Sequence, residues 1–320
     1  MAVHVMGLVV VSGLRAQAPE SPRVVVASID DLALEQRLVV ACATLRASGK
    51  LVAATELQRQ LENTPAATTA HAEVALRRTP LASADLHDLV QPSTRLVVHY
   101  YLCKECDDWH VSAASGFCVD ATGLVATCAH VVAPDAETRA SFLVTADLHG
   151  NVWPVERVVA VSMASDVCTL QTAERGGLPL PLRGSVRTGE RVYCLSHPDH
   201  QFGFFSEGVV ARQYLLREEL ERAIPDPGAG AAAAARPAAG GKPTFGPPTA
   251  FLHVTCDFCK GSSGAPIVDT AGNLVGIAQS TTTVVYDPEA TPVDTQMVFK
   301  SATPAAALQA LLRPVGAAAK

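Results

Sequence analysis

Residues 260–268 read Lys-Gly-Ser-Ser-Gly-Ala-Pro-Ile-Val, a run of small residues that opens into one apolar segment and then a second, Asn273-Leu274-Val275-Gly276-Ile277. No other stretch constrains the fold as tightly. A chain that passes Gly261-Ser262-Ser263-Gly264 between strand-like runs must turn sharply, and glycine permits both left-handed backbone and close approach of other atoms. Two readings stand at this level: an ordinary Gly/Ser turn, or a platform that presents the Ser263 hydroxyl with nothing bulky around it.

Two upstream segments favour the platform. Ser115-Gly116-Phe117-Cys118-Val119-Asp120 passes through the turn Ala121-Thr122-Gly123 into Leu124-Val125-Ala126-Thr127-Cys128-Ala129-His130-Val131-Val132. Further on stands Ala164-Ser165-Asp166-Val167-Cys168-Thr169-Leu170. A serine attacks an amide at neutral pH only when a base takes its proton and a carboxylate orients that base. His, Asp and Ser in three separate strand or turn contexts are therefore a more specific sign than any one alone.

Together these segments resemble the trypsin-like serine proteases of chymotrypsin fold, closest to the HtrA/Deg-like branch. The 261–266 stretch resembles the loop Gly-x-Ser-Gly-Gly-Pro, 127–132 the segment Thr-x-Ala-His-Val-Val, and 165–170 the segment Ser-Asp-apolar-Ala-Leu. The resemblance implies an all-β fold of two six-stranded antiparallel Greek-key barrels, here preceded by a small α-helical segment. It implies a serine endopeptidase in which Ser263 attacks, His130 is the general base, Asp166 orients it, and the N–H groups of Gly261 and Ser263 form the oxyanion hole. The expected partner is a polypeptide substrate, with no cofactor. Ser262 replaces the usual Asp or Asn before the nucleophile, and Ala265 replaces the second Gly; a methyl at 265 fits if φ is negative. The alternative is a non-catalytic peptide-binding or scaffold relative that keeps the fold. An esterase on the same machinery is a third reading.

Asp257 lies six residues before Ser263, the offset at which trypsin-type enzymes carry the S1 carboxylate for a basic P1 side chain. HtrA-like enzymes lack that Asp, and Asp257 can equally bond to loop backbone. Cys42, Cys118, Cys128, Cys168 and Cys194 sit in apolar runs and read as small buried hydrophobes. Cys103/Cys106 and Cys256/Cys259 are C-x-x-C pairs, which with His110 offer zinc ligands; disulfides or free thiols are the competing readings.

The 92–320 stretch carries the protease-like motifs. Ahead of it, Leu34, Leu38, Cys42 and Leu45 recur at helical spacing from a cap at Ser28 or Asp30 to a stop at Gly49, and Leu57 and Leu61 continue on a second helix. Weaker helical stretches follow at 72–78 and after Ser83, so 28–90 reads as a helical segment, packed by default against the first barrel. The 225–248 stretch, almost all Ala, Gly and Pro, reads as a flexible surface insertion. Thr303 as N-cap and Pro304 at N1 predict a closing helix over 304–313, and no PDZ domain is expected beyond it.

A formal net charge of -6 gives no electrostatic footprint for nucleic acid. No apolar run reaches membrane-spanning length. Residues 1–18 read as a signal peptide, since Val3 to Leu14 is an apolar run and Ala16-Gln17-Ala18 has the small-x-small form of a cleavage site, so export is expected; the competing reading is a first strand or an uncleaved apolar leader, as no Lys or Arg precedes the run and Arg15 and Pro19 flank the site. Oligomeric state is not legible from sequence.

Overall fold

The computed structural model describes residues 28–64, 69–134, 138–217, 247–285 and 294–314. The expected leader at 1–18 lies outside these residues, as does the expected insertion at 225–248 except for its last two positions.

Helix α1 (Asp31–Ala47) starts where Asp30 Oδ1 accepts the N–H of Ala33 at 2.9 Å, and it ends before Gly49, whose φ of 68° turns the chain away. Its stripe of Leu34, Leu38 and Cys42 is fully buried against Leu96, Val98 and Tyr100 of the strand Thr94–Cys103. Each buried leucine contributes roughly 1.5–3 kcal/mol. Helix α2 (Ala54–Asn63) buries Leu57 and Leu61, and α3 (Ser83–Val90) buries Leu86 and Val90, all in a cluster that fills the first barrel and continues into the second.

Residues 72–78 form no helix, contrary to the sequence pattern. The preceding strand β1 (Thr69–His71) pairs in parallel with a short strand at Leu312–Pro314. Arg77 then exchanges hydrogen bonds with Asn273, its N–H meeting Oδ1 at 2.8 Å and its carbonyl accepting from Nδ2 at 2.9 Å. Tertiary partners take the backbone groups that a helix would have satisfied.

Strands β2 (Thr94–Cys103), β3 (Trp109–Cys118), β4 (Leu124–Thr127), β5 (Thr138–Ala146), β6 (Val152–Ser162) and β7 (Val167–Thr172) close into a barrel in the order β2-β3-β4-β7-β6-β5. Strands β8 (Arg191–Ser196), β9 (Phe204–Leu216), β10 (Thr249–Val254), β11 (Pro266–Asp269), β12 (Leu274–Val285) and β13 (Thr295–Pro304) close a second in the order β10-β13-β12-β11-β8-β9. All neighbours within both barrels are antiparallel. This is the two-barrel, all-β fold that the resemblance implied.

Strand alternation joins the barrels. On β8, Val192 and Cys194 face the core of the second barrel, while Tyr193 and Leu195 join a cluster continuous with the first. The two barrels therefore meet along a packed seam.

The closing helix is shorter than its sequence signals. Thr303 and Pro304 belong to β13, and α4 spans Ala305–Ala310 before β14 (Leu312–Pro314) returns to β1. The Thr303 hydroxyl, expected to cap the helix, instead donates to the Ser165 carbonyl at 2.7 Å, next to Asp166.

Candidate active site

Beyond β4 the chain makes one turn of 3-10 helix, Ala129–Val132, which carries His130 to the edge of the cleft with half of its side chain exposed. Asp166 sits in the turn between β6 and β7, closed by its N–H bond to the Met163 carbonyl at 3.1 Å. Its φ of 50° lies in the left-handed region, which Asp tolerates better than most residues. That turn aims both carboxylate oxygens at His130: Oδ2 meets ring Nδ1 at 2.6 Å, and Oδ1 accepts the His130 backbone N–H at 2.9 Å. In the tautomer whose Nδ1–H donates to the carboxylate, Nε2 keeps a lone pair that can accept a proton.

The loop between β10 and β11 delivers Ser263 to the same cleft. Gly261 and Gly264 have φ of 91° and 89°, and both are pressed against backbone. A Cβ on Gly261 would stand 2.5 Å from the His197 carbonyl oxygen, and one on Gly264 would stand 2.1 Å from that of Ser115. Only glycine fits either place. Ala265 is not in the left-handed region, so its methyl packs without strain in the buried core. The loop's hydrogen bonds commit the N–H groups of Ser262, Gly264 and Ala265 to Cys259, Ala278 and Ser262. Among the described residues, no hydrogen bond uses the N–H of Gly261 or Ser263. Ser262 is fully buried; its hydroxyl donates to Ser196 Oγ at 3.1 Å and accepts the Cys259 N–H at 3.3 Å, so it anchors the loop from beneath.

His130, Gly261 and Ser263 line one cleft of about 640 Å³, with His99, Tyr101 and Lys260 among its other walls. That size suits a few residues of an extended peptide. The Ser263 hydroxyl itself donates to the Gln279 carbonyl at 3.1 Å.

Several positioning residues carried no sequence signal of their own. Ser115 is fully buried on β3, where its N–H donates to the Ser263 carbonyl at 3.0 Å and its hydroxyl to the Gly261 carbonyl at 2.9 Å. The same hydroxyl accepts the His197 N–H at 3.2 Å. One first-barrel serine thus grips the second-barrel loop at two carbonyls. His197 is buried with its Nδ1 accepting the Gly203 N–H at 3.0 Å, and burial pushes its pKa down to about 3. His200, beside the cleft, is paired with Glu35 of α1.

Other expected residues lie elsewhere. Asp257 does not line the cleft; its carboxylate is largely exposed and pairs with Lys300 at 3.0 Å. All nine cysteines are unpaired. Burial holds the thiols of Cys42, Cys118 and Cys256 up at about 12. Cys103 and Cys106 come together with His110, while Cys256 packs in the second-barrel core and Cys259 is exposed. Backbone N–H groups of Cys106 and Glu105 hold the Cys103 thiol below its usual range. Cys128 also approaches His130 and Asp166, but its buried thiol donates to the Ala278 carbonyl at 3.3 Å.

A family model described as a trypsin-like peptidase domain matches residues 114–277, a little over half of the chain. The mitochondrial serine protease HTRA2 of Bos taurus is 31% identical over 170 residues, covering 52% of this chain and 31% of the relative. The chain thus spans about a third of that curated relative's length. A solved structure described as the HtrA-type protease AlgW with tripeptide superposes with a TM-score of 0.44 at 17% identity, over 70% of this chain and 60% of that one. With the family model matched across both barrels and the cleft between them, this chain belongs to the trypsin-like peptidase domain family.

Proposed function

We propose that the chain is a serine endopeptidase. Ser263 Oγ bonds to the scissile carbonyl carbon as its proton passes to His130 Nε2, and Asp166 holds the ring and balances the imidazolium. The oxyanion accepts from the N–H groups of Gly261 and Ser263. His130 returns the proton to the leaving amine, and water then releases the acyl group from Ser263 by the same steps in reverse. The observation that carries this reading is the double hydrogen bond between Asp166 and His130, at the rim of the cleft that Ser263 lines. To act, the Ser263 hydroxyl turns about χ1 from the Gln279 carbonyl towards His130.

Basic P1 side chains are not the preferred substrates on this reading. Lys300 already neutralises Asp257, and its ammonium also bonds to the Phe258 carbonyl. A carboxylate so paired offers no net charge to an arriving Lys or Arg.

The test is labelling by a fluorophosphonate probe, which needs an activated serine and no knowledge of the substrate. Wild type is expected to label, and Ser263→Ala and His130→Ala are not. A second reading, a peptide-binding relative without turnover, draws on the Ser263–Gln279 hydrogen bond. Folded wild type that never labels would establish it.

A further inference from the structure

The hairpin between β2 and β3 holds a side-chain cluster that the serine chemistry does not use. Cys103 closes β2, Cys106 lies in the turn, and His110 stands on β3 opposite Tyr101. Their two sulfurs and one imidazole nitrogen all lie within 4.8 Å of one another, with Cys106 Sγ 3.1 Å from His110 Nε2. Donors that share a zinc ion at roughly 2.0–2.3 Å stand roughly 3.5–3.8 Å apart at tetrahedral angles, so the Cys106–His110 edge need open only slightly.

The backbone is already shaped around the sulfurs. Glu105 N–H points at Cys103 Sγ at 3.3 Å, a contact that favours a thiolate. Arg139 of β5 ties the turn from outside, donating to the carbonyls of Cys103 and Cys106, both at 2.7 Å. The second C-x-x-C pair does not join the cluster, since Cys256 donates to the Val192 carbonyl inside the other barrel.

We infer that Cys103, Cys106 and His110 bind one Zn²⁺, with water in the fourth position, and that the ion clamps the hairpin tip at one wall of the cleft. Each thiol releases its proton to solvent as it binds, and two thiolates cancel the charge of the ion, which suits a half-buried site. Thiolate and imidazole select zinc over hard cations such as Mg²⁺ or Ca²⁺. Cys103 and Glu105 line the cleft together with His130 and Ser263, so the clamp reaches the groove itself. The effect on substrate rests on the peptidase reading; the metal site does not.

The experiment uses the full chain, purified under reducing conditions with excess zinc and then desalted, with metal measured per protein by mass spectrometry. Wild type and the control Cys259→Ser are expected to hold about one zinc each, and Cys103→Ser and His110→Ala at least about tenfold less. Cobalt-loaded wild type is expected to show a thiolate-to-metal charge-transfer band that Cys103→Ser with Cys106→Ser lacks. Should those variants fail to fold, zinc released by a chelator from wild type that keeps its circular dichroism spectrum supports the site by itself. Reduced, folded wild type that holds less than about a tenth of an equivalent overturns it. So does a Cys103–Cys106 disulfide under those conditions, or zinc retained by both ligand variants.

For the clamp, zinc removal is expected to raise KM for a peptide several-fold with kcat nearly unchanged, and zinc addition to restore it. A KM that does not move removes the clamp and leaves the metal site. Absence of hydrolysis with and without zinc counts against the peptidase reading alone.

Discussion

His130 and Asp166, on the first barrel, are held by side-chain chemistry, one carboxylate bonding both a ring nitrogen and a main-chain N–H. Ser263, on the second, is held by main chain pressed on main chain, with Gly261 and Gly264 in left-handed conformations against the carbonyls of His197 and Ser115. The first arrangement is local and can lose its chemistry while keeping its shape. The second cannot change shape without disturbing the seam where the barrels meet. The outer faces differ too. Helices α1 and α2 cover the first barrel, whereas the second shows Val209, Leu215, Val284 and Met297 to solvent.

Asp166→Asn tests the first half of that contrast. Asn tolerates the same left-handed turn, so the thermal midpoint should stay within a few degrees, while kcat on a peptide or ester substrate falls by about 10⁴-fold through the wrong imidazole tautomer. A large drop in the midpoint would show that the carboxylate is structural as well.

Gly264→Ala tests the other half. A Cβ 2.1 Å from the Ser115 carbonyl and 2.3 Å from Thr127 Oγ1, at φ of 89°, should lower stability by about 4 kcal/mol in urea titrations. A loss under about 1 kcal/mol would mean that the seam is soft.

Acid should loosen the seam through His197. Its folded pKa of about 3 lies below the unfolded 6.5, so the unfolded chain takes up the proton first as pH falls. The stability from the neutral ring is complete above pH 6.5 and drains away down to about pH 3, by on the order of 5 kcal/mol. His197→Asn, which offers an acceptor to the Gly203 N–H and does not titrate, should flatten that slope in unfolding measured across pH.

The smallest effect concerns specificity. Lys300→Thr frees Asp257, but that carboxylate lies outside the cleft, so kcat/KM for a P1 Arg substrate over a P1 Ala substrate should stay within about twofold. A rise of about tenfold would place Asp257 within the substrate's reach.

Much of this molecule was written locally. The cap at Asp30 and the spacing of Leu34, Leu38 and Cys42 specify α1 because a helix's start and buried stripe depend on residues three or four apart. The loop around Ser263 was legible for a related reason, since left-handed backbone leaves little choice but glycine. Resemblance then supplied the order His130, Asp166, Ser263. The local code misled at 72–78 and 303–304, where Asn273 and Ser165 compete for groups that a helix or cap would have used.

Sequence alone therefore determined the turn around Ser263, the apolar stripe of α1, and the residues that the proposal assigns to the chemistry. Tertiary structure alone decided that Ser115 of one barrel grips the loop of the other, that Lys300 answers Asp257, and that His110 rather than the second C-x-x-C pair joins Cys103 and Cys106. The physical reason is range. Turn chemistry and periodicity act between neighbours, whereas the first two of those pairings join segments far apart in the chain that meet only once the barrels close and pack.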